Sequence, residues 1–282
     1  MTASSKYFRY SWRMTKRAML SPILVGVLLG VTPTPAMLAQ KQGQLTHLQP
    51  GSLPTQGSKQ LLIVRTSGWN AVDGKLQRYQ RASADQRWVK VGDAVPVVVG
   101  KSGMAWGLGV APSATDKNGH TSLHGEPMKR EGDGRSPAGV FALGTSFGYA
   151  ASAPGGWKMP YLELTPSIEC VDDLASNFYN QTLDRGSVSP DWKSSEHMRS
   201  ADEFYRLGVI VQHNAAPARP GGGSCIFLHI WGGKGQGTAG CTAMAESQLE
   251  ALVGWLDPTN QPLLVQMPRN DYRRLKKEWQ LP

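Results

Sequence analysis

The sequence predicts a mainly β fold with minor α, a mixed β-sheet or sandwich, and three observations lead to that expectation. Short runs rich in Val, Ile, Leu and aromatic residues recur between clusters of Gly, Pro, Asp and Ser, the pattern of strands and turns. Only one stretch, Met244 to Leu256, holds a helical period, with apolar residues at 245, 249, 252, 253 and 256. The 282 residues include 32 Gly and 19 Pro, too many chain breakers for a helical bundle. With 40% hydrophobic residues the chain can fill one sizeable core, and its composition excludes a collagen, a coiled coil, a polytopic membrane protein and a wholly disordered chain.

Taken in order, the chain opens with Lys6, Arg9, Arg13, Lys16 and Arg17, with no acidic residue before position 40. These supply five of the nine net positive charges and leave +4 for the remainder, an ordinary balance rather than a nucleic-acid footprint. The apolar run Ala18–Val31 that follows is interrupted by Pro22 and is short of the roughly 20 residues a spanning helix needs. Residues 1–39 therefore read as an export signal, cleaved after Ala36 or Ala39, which makes the mature protein periplasmic or cell-wall associated and limits its membrane contact to that signal. Residues 40–59, rich in Gln, Gly, Ser and Pro, read as a flexible tether.

The catalytic domain is expected over residues 60–268. Leu61–Arg65, Gly74–Tyr79, Trp88–Val91 and Val95–Val99 are strand runs that suggest an antiparallel meander. Ala111–Gly139 reads as a long polar surface loop before the apolar Val140–Leu143. In the middle region, Glu169 to Tyr205, Ser194 and Ser195 ahead of Glu196 suggest the start of a short helix covering one face or rim. Gly208–Gln212 and Cys225–Trp231 are the strongest strand signals, and Asp257-Pro258 ends the helix before a closing strand, Pro262–Met267. Residues 269–282 form a basic tail expected at the periphery.

The chemistry concentrates in two neighbouring segments. Strand alternation puts Cys225, Phe227 and His229 on one face and Ile226, Leu228 and Ile230 on the other. Twelve residues after His229, Cys241 sits in the small-residue turn Thr238-Ala239-Gly240-Cys241-Thr242. A thiol facing an imidazole suits nucleophilic catalysis, because pairing with His lowers a thiol pKa from about 8.5. Gly240 lets backbone amides near Cys241 point at a developing oxyanion. Metal chemistry is not expected, since no His or Cys lies at ligand spacing beside Asp172 and Asp173 apart from Cys170, and neither CxxC nor HExxH occurs. No phosphate loop or basic–aromatic interleaving points to a nucleotide cofactor or a nucleic-acid partner.

Those segments, GSCIFLHIW and GTAGCTAM, together with KREGDGRSPAGVF, ECVDD…YN and W.SSE.M, resemble the YkuD-like family of L,D-transpeptidase catalytic domains from about Leu61 to Met267. The resemblance implies a cysteine that attacks peptidoglycan stem peptides, forms a thioester and passes the acyl group to an amine. In this sequence it makes Cys241 the nucleophile, His229 its base, Gly240 the glycine beside it and the Ile230 carbonyl the group that orients the imidazole. Thr242 counts with Gly240 in the oxyanion-forming turn. Lys129, Arg130 and Arg135 are candidates to clamp stem carboxylates, and His213, Trp231 and Thr238 to border the cleft. A carbapenem is the expected covalent inhibitor. Two departures stand out: the commoner family motif has a histidine two residues before the nucleophile and an arginine two after, where this chain has Ala239 and Ala243.

Water in place of the amine would make the same site an L,D-carboxypeptidase or amidase, and loss of activity would leave a wall-binding module. Three cysteines cannot all pair. A Cys170–Cys225 bond and two buried free thiols stand as equal expectations, ahead of a Cys225–Cys241 bond that would block the nucleophile.

Overall fold

The computed structural model describes residues 53–110, 125–215 and 217–282; the expected export signal and most of the expected tether lie outside them. Strand β1 (Gln60–Thr66) is covered on both faces, with Leu61, Leu62, Ile63 and Val64 all buried. It pairs antiparallel with β2 (Asp73–Gln80), which pairs antiparallel with β3 (Val89–Val98). The sequence suggested two runs where β3 is one strand. A register shift opposite Leu76 and Arg78 absorbs the irregularity, and the Gln77 amide donates to the carbonyls of Val91 and Gly92 there.

On its other edge β1 runs parallel to β13 (Leu263–Pro268), which is antiparallel to β5 (Ser136–Gly148). β5 pairs with β10 (Leu207–Val211), β10 with β11 (Phe227–Ile230), and β11 runs parallel to β12 (Thr242–Met244). Ala243 of β12 then meets Val98 of β3. The order returns to its start, so the mixed sheet closes on itself and leaves those strands without a free edge. Two short strands, β4 (Met104–Trp106) and β6 (Tyr161–Glu163), add parallel to β5. The parallel pairing of β11 with β12 has a cost in chain length, because parallel neighbours cannot be joined by a tight hairpin. The loop 231–241 makes that return.

Helix α1 (Glu246–Trp255) follows β12 and buries Leu249, Leu252 and Val253 against β10 and β11. The other face of β11 supports a second apolar cluster, in which Phe227 and Cys241 pack with Phe147, Ile168 and Met198. Over this cluster lies a small sheet in the order β8 (Thr182–Asp184), β7 (Ile168–Val171), β9 (Ser195–His197). Ser194–Glu196, expected to open a helix, is instead in and beside β9: Glu196 pairs with Cys170 across the sheet, and the Ser194 and Ser195 hydroxyls bond Asp172 and Glu169 rather than capping a helix. A Cys170–Cys225 disulfide ties this sheet to the residues just before β11, leaving Cys241 as the free, buried thiol among the described residues.

Three boundaries differ from the sequence reading. The C-terminal segment is basic but not peripheral: α2 (Arg269–Leu275) and the residues after it bury Tyr272, Leu275, Trp279 and Leu281 in the main core while the cations point outward. Its apolar spacing carries that packing, which its charge obscured. Before β1, Thr55 and Ser58 are buried, and their carbonyls accept from the Arg81 guanidinium. The polar loop Ala111–Gly139 ends early, with Ser136–Gly139 already in β5; residues 111–124 lie outside the described ones.

The disulfide closes a long segment, with its cysteines 55 residues apart. Its reduction should lower unfolding free energy by about 2–4 kcal/mol, read as a drop in the urea midpoint. Unreduced protein should take up one iodoacetamide, and reduced, unfolded protein three.

Candidate active site

Cys241 precedes β12, and the β11–β12 register, Leu228 opposite Thr242 and His229 opposite Ala243, places it beside Phe227. Side chains two apart on a strand share a face, so the Cys241 thiol and the His229 imidazole emerge on one side of the parallel pair, a step apart along it. The sulfur is held by the backbone: Phe227 N–H donates to Sγ (3.3 Å) and the S–H donates to the Cys225 carbonyl (3.4 Å). The Cys241 carbonyl is fixed by two hydroxyls, Ser136 Oγ (2.8 Å) and Thr238 Oγ1 (2.6 Å). His229 Nδ1 lies 2.7 Å from the Ile230 carbonyl. A carbonyl only accepts, so Nδ1 carries the proton and a neutral ring keeps its lone pair on Nε2. Both side chains open on a cleft of about 400 Å³ walled by Trp231, Thr238, Gly240 and Tyr205.

Burial governs the charge state. It pushes the Cys241 thiol well above its ordinary value, with the Glu196 charge adding to the effect, while the Phe227 N–H, Lys129 and Tyr205 pull the other way. It also lowers His229 to about 4. The resting pair is therefore a neutral thiol and a neutral imidazole, because desolvation disfavours the charged form of each.

With that geometry in hand, one comparison identifies the family. The L,D-transpeptidase catalytic domain, the YkuD family, matches residues 82–265. The chain belongs to that family. No curated protein and no solved structure matches it.

One of the two departures from the commoner L,D-transpeptidase motif has a spatial reason here. Ala243 lies between His229 and Val98 in the sheet and is fully buried, so an arginine has no room. Ala239 is exposed on the cleft rim. The turn is close-packed: a Cβ on Gly237 would stand 2.5 Å from Lys101 Cα, and one on Gly240 would stand 3.2 Å from the Arg135 carbonyl oxygen.

Several candidates are used for structure rather than for the cleft. Arg135 donates to the carbonyls of Trp69 and Met104 and to the Asn70 side chain, which anchors the turn before β5. Arg130 is exposed and its side chain does not line the cleft. Lys129 does line it, but its ammonium is paired with Asp133 (2.6 Å). His213 is buried away from the cleft: Nδ1 accepts from Leu108 N–H and Nε2–H donates to the Gly222 carbonyl, and burial lowers it to about 3. The Thr242 hydroxyl donates to Gln266 Oε1 (2.8 Å), and the Gly240 N–H donates to Thr238 Oγ1 (3.1 Å).

In their place the fold brings carboxylates that the residue-by-residue reading did not assign to the site. Glu131, Asp172 and Glu196 line the cleft, together with Tyr205 and Phe204. Glu131 Oε2 accepts from Tyr179 and Ser224, and Glu196 Oε2 accepts from Tyr205 (2.7 Å). The signal was present in ECVDD and W.SSE.M, which hold Asp172 and Glu196; only the pairing of β7 with β9 brings them to the cleft that holds the thiol.

Two outcomes test this arrangement. Arg135→Gln should cost about 1–3 kcal/mol by taking the guanidinium donor from the Met104 carbonyl while changing KM less than twofold. For the buried histidines, a lowered folded pKa means that the unfolded chain binds the extra proton first, so stability is present above pH 6.5 and is lost as pH falls. His213→Gln should remove on the order of 2 kcal/mol of that loss between pH 6.5 and 4.5, measured by urea unfolding at both values.

Proposed function

We propose that this protein is an exported L,D-transpeptidase that links peptidoglycan stem peptides through a Cys241 thioester. The observation that carries the reading is the shared face of Cys241 and His229 on one strand pair, with the His229 tautomer fixed by the Ile230 carbonyl. As the donor stem enters, the thiol proton passes to His229 Nε2 and the sulfur attacks the carbonyl carbon. The imidazolium then protonates the leaving amine of the terminal D-amino acid, which departs and leaves the thioester. An acceptor amine attacks next, gives its proton to the neutral imidazole and releases the thiol.

The cleft charge favours an amine acceptor over water. Glu131, Asp172 and Glu196 line it, and its one lysine is neutralised by Asp133. Such a wall draws in an ammonium group and disfavours extra carboxylates. Export agrees with the basic and apolar N-terminal segments and with a disulfide, which persists in oxidising compartments.

Incubation with disaccharide-tetrapeptide fragments should yield crosslinked dimers by mass spectrometry. Cys241→Ser and His229→Ala should each cut turnover by about a thousandfold or more, the double variant no further, with unfolding midpoints little changed. A carbapenem should add covalently only to protein that retains Cys241. Shortened monomers without dimers would reassign the site to hydrolysis, and an unchanged mixture would indicate a binding module.

A further inference from the structure

Tyr205 sets its phenol between a carboxylate and the thiol. Its hydroxyl donates to Glu196 Oε2 at 2.7 Å, and its ring packs against the cluster that holds Cys241. Packing fixes the ring: it stands edge-on to His229 at 5.2 Å, to Phe227 at 5.5 Å and to Phe147 at 6.1 Å. Residue 196 is set just as firmly, since β9 pairs it with Cys170, the disulfide partner of the residue whose carbonyl holds the resting thiol. Tyr205, Glu196, Cys241 and His229 all line the same cleft.

We propose that Tyr205 is a catalytic hydrogen-bond donor to the Cys241 sulfur, and that Glu196 is a positioning residue that competes with the sulfur for the Tyr205 proton. When Glu196 is a neutral acid, its O–H donates to the Tyr205 oxygen and the phenol is free to donate to sulfur. When Glu196 is ionised, the phenol turns to the carboxylate, the thiolate loses its donor and a negative charge faces it. The acids Asp172 and Glu131 face Glu196, as do Tyr205 and Cys241; Lys129 and His229 share the cleft, and Asp202 acts on Tyr205. Burial and the two acidic neighbours raise Glu196 to about 7, so the exchange falls in the working range of pH.

The inference rests on Cys241 as the reacting thiol, yet it can be tested without peptidoglycan. Cys241 is the one free thiol, so carbamidomethylation of unreduced protein by iodoacetamide, followed by mass between pH 5 and 9, reports its thiolate directly. An unlinked thiol below its pKa reacts tenfold faster per pH unit. The wild type should climb less steeply between pH 6 and 8, while Glu196→Gln climbs evenly and reacts about fivefold faster at pH 8, the factor one hydrogen bond is worth. Tyr205→Phe keeps the ring contacts and should react about fivefold slower than wild type at pH 6.

Parallel wild-type and Glu196→Gln profiles would overturn the proposal, as would a Tyr205→Phe protein that matches the wild type at pH 6. If Glu196→Gln fails to fold, the wild-type curve alone decides, because an even climb through pH 7 excludes the competition. An inflected wild-type curve in a protein that does not process stem fragments would sink the proposed function and leave this assignment standing.

Discussion

The parallel pairing of β11 with β12 is the constraint on which the site depends. A hairpin would have carried the chain straight back beside His229; a parallel neighbour forces it to travel the length of the strand and start again from the same end. The loop 231–241 makes that journey, and Trp231, Gly237, Thr238 and Gly240 in it become a wall of the cleft. The residue that ends the journey is Cys241, delivered to the face that already carries His229. Closure of the sheet through β5 and β10 keeps this pair rigid, since strands at its two sides are themselves paired.

Rigidity is completed by backbone and hydroxyl contacts rather than by charge. The Cys241 carbonyl is gripped by Ser136 and Thr238, its sulfur by Phe227 N–H and the Cys225 carbonyl, and His229 by the carbonyl next to it. Cys225 holds its position with φ of 54°, a left-handed conformation unusual for a side-chain-bearing residue. Its N–H is bound by Asn180 and its sulfur by Cys170. The disulfide thus does more than close a loop, because it fixes the peptide that holds the resting thiol. Burial disfavours the charged form of both groups, so the resting pair needs no counter-ions.

The electrostatic character of the cleft is the reverse of what the basic loop suggested. KREGDGR supplies cations in sequence, but Asp133 folds back within the same turn to take Lys129 Nζ and the amides of Arg130 and Arg135. What lines the cleft with the thiol is Glu131 from that loop, Asp172 after β7 and Glu196 from β9. An acidic wall beside the thiol attracts positive charge to the cleft.

The sequence by itself determined the β class, the meander β1–β3, the helix after the Cys241 turn and the two faces of β11. Those faces are local matters of strand period: Ile226, Leu228 and Ile230 enter the main core, and Cys225 and Phe227 the second cluster, as alternation requires. It also marked Cys241 and His229, because a thiol and an imidazole in strand and turn context carry their chemistry with them. Tertiary structure alone chose Cys170 as the partner of Cys225, since connectivity depends on which strands lie together. It alone made structural residues of Arg135, which donates to the Trp69 carbonyl 66 positions away, and of His213, which accepts from the Leu108 N–H 105 positions away. Glu196 and Tyr205 were visible as letters, but their place beside the thiol follows from the pairing of β7 with β9 over the face of β11, a long-range contact that no local period encodes.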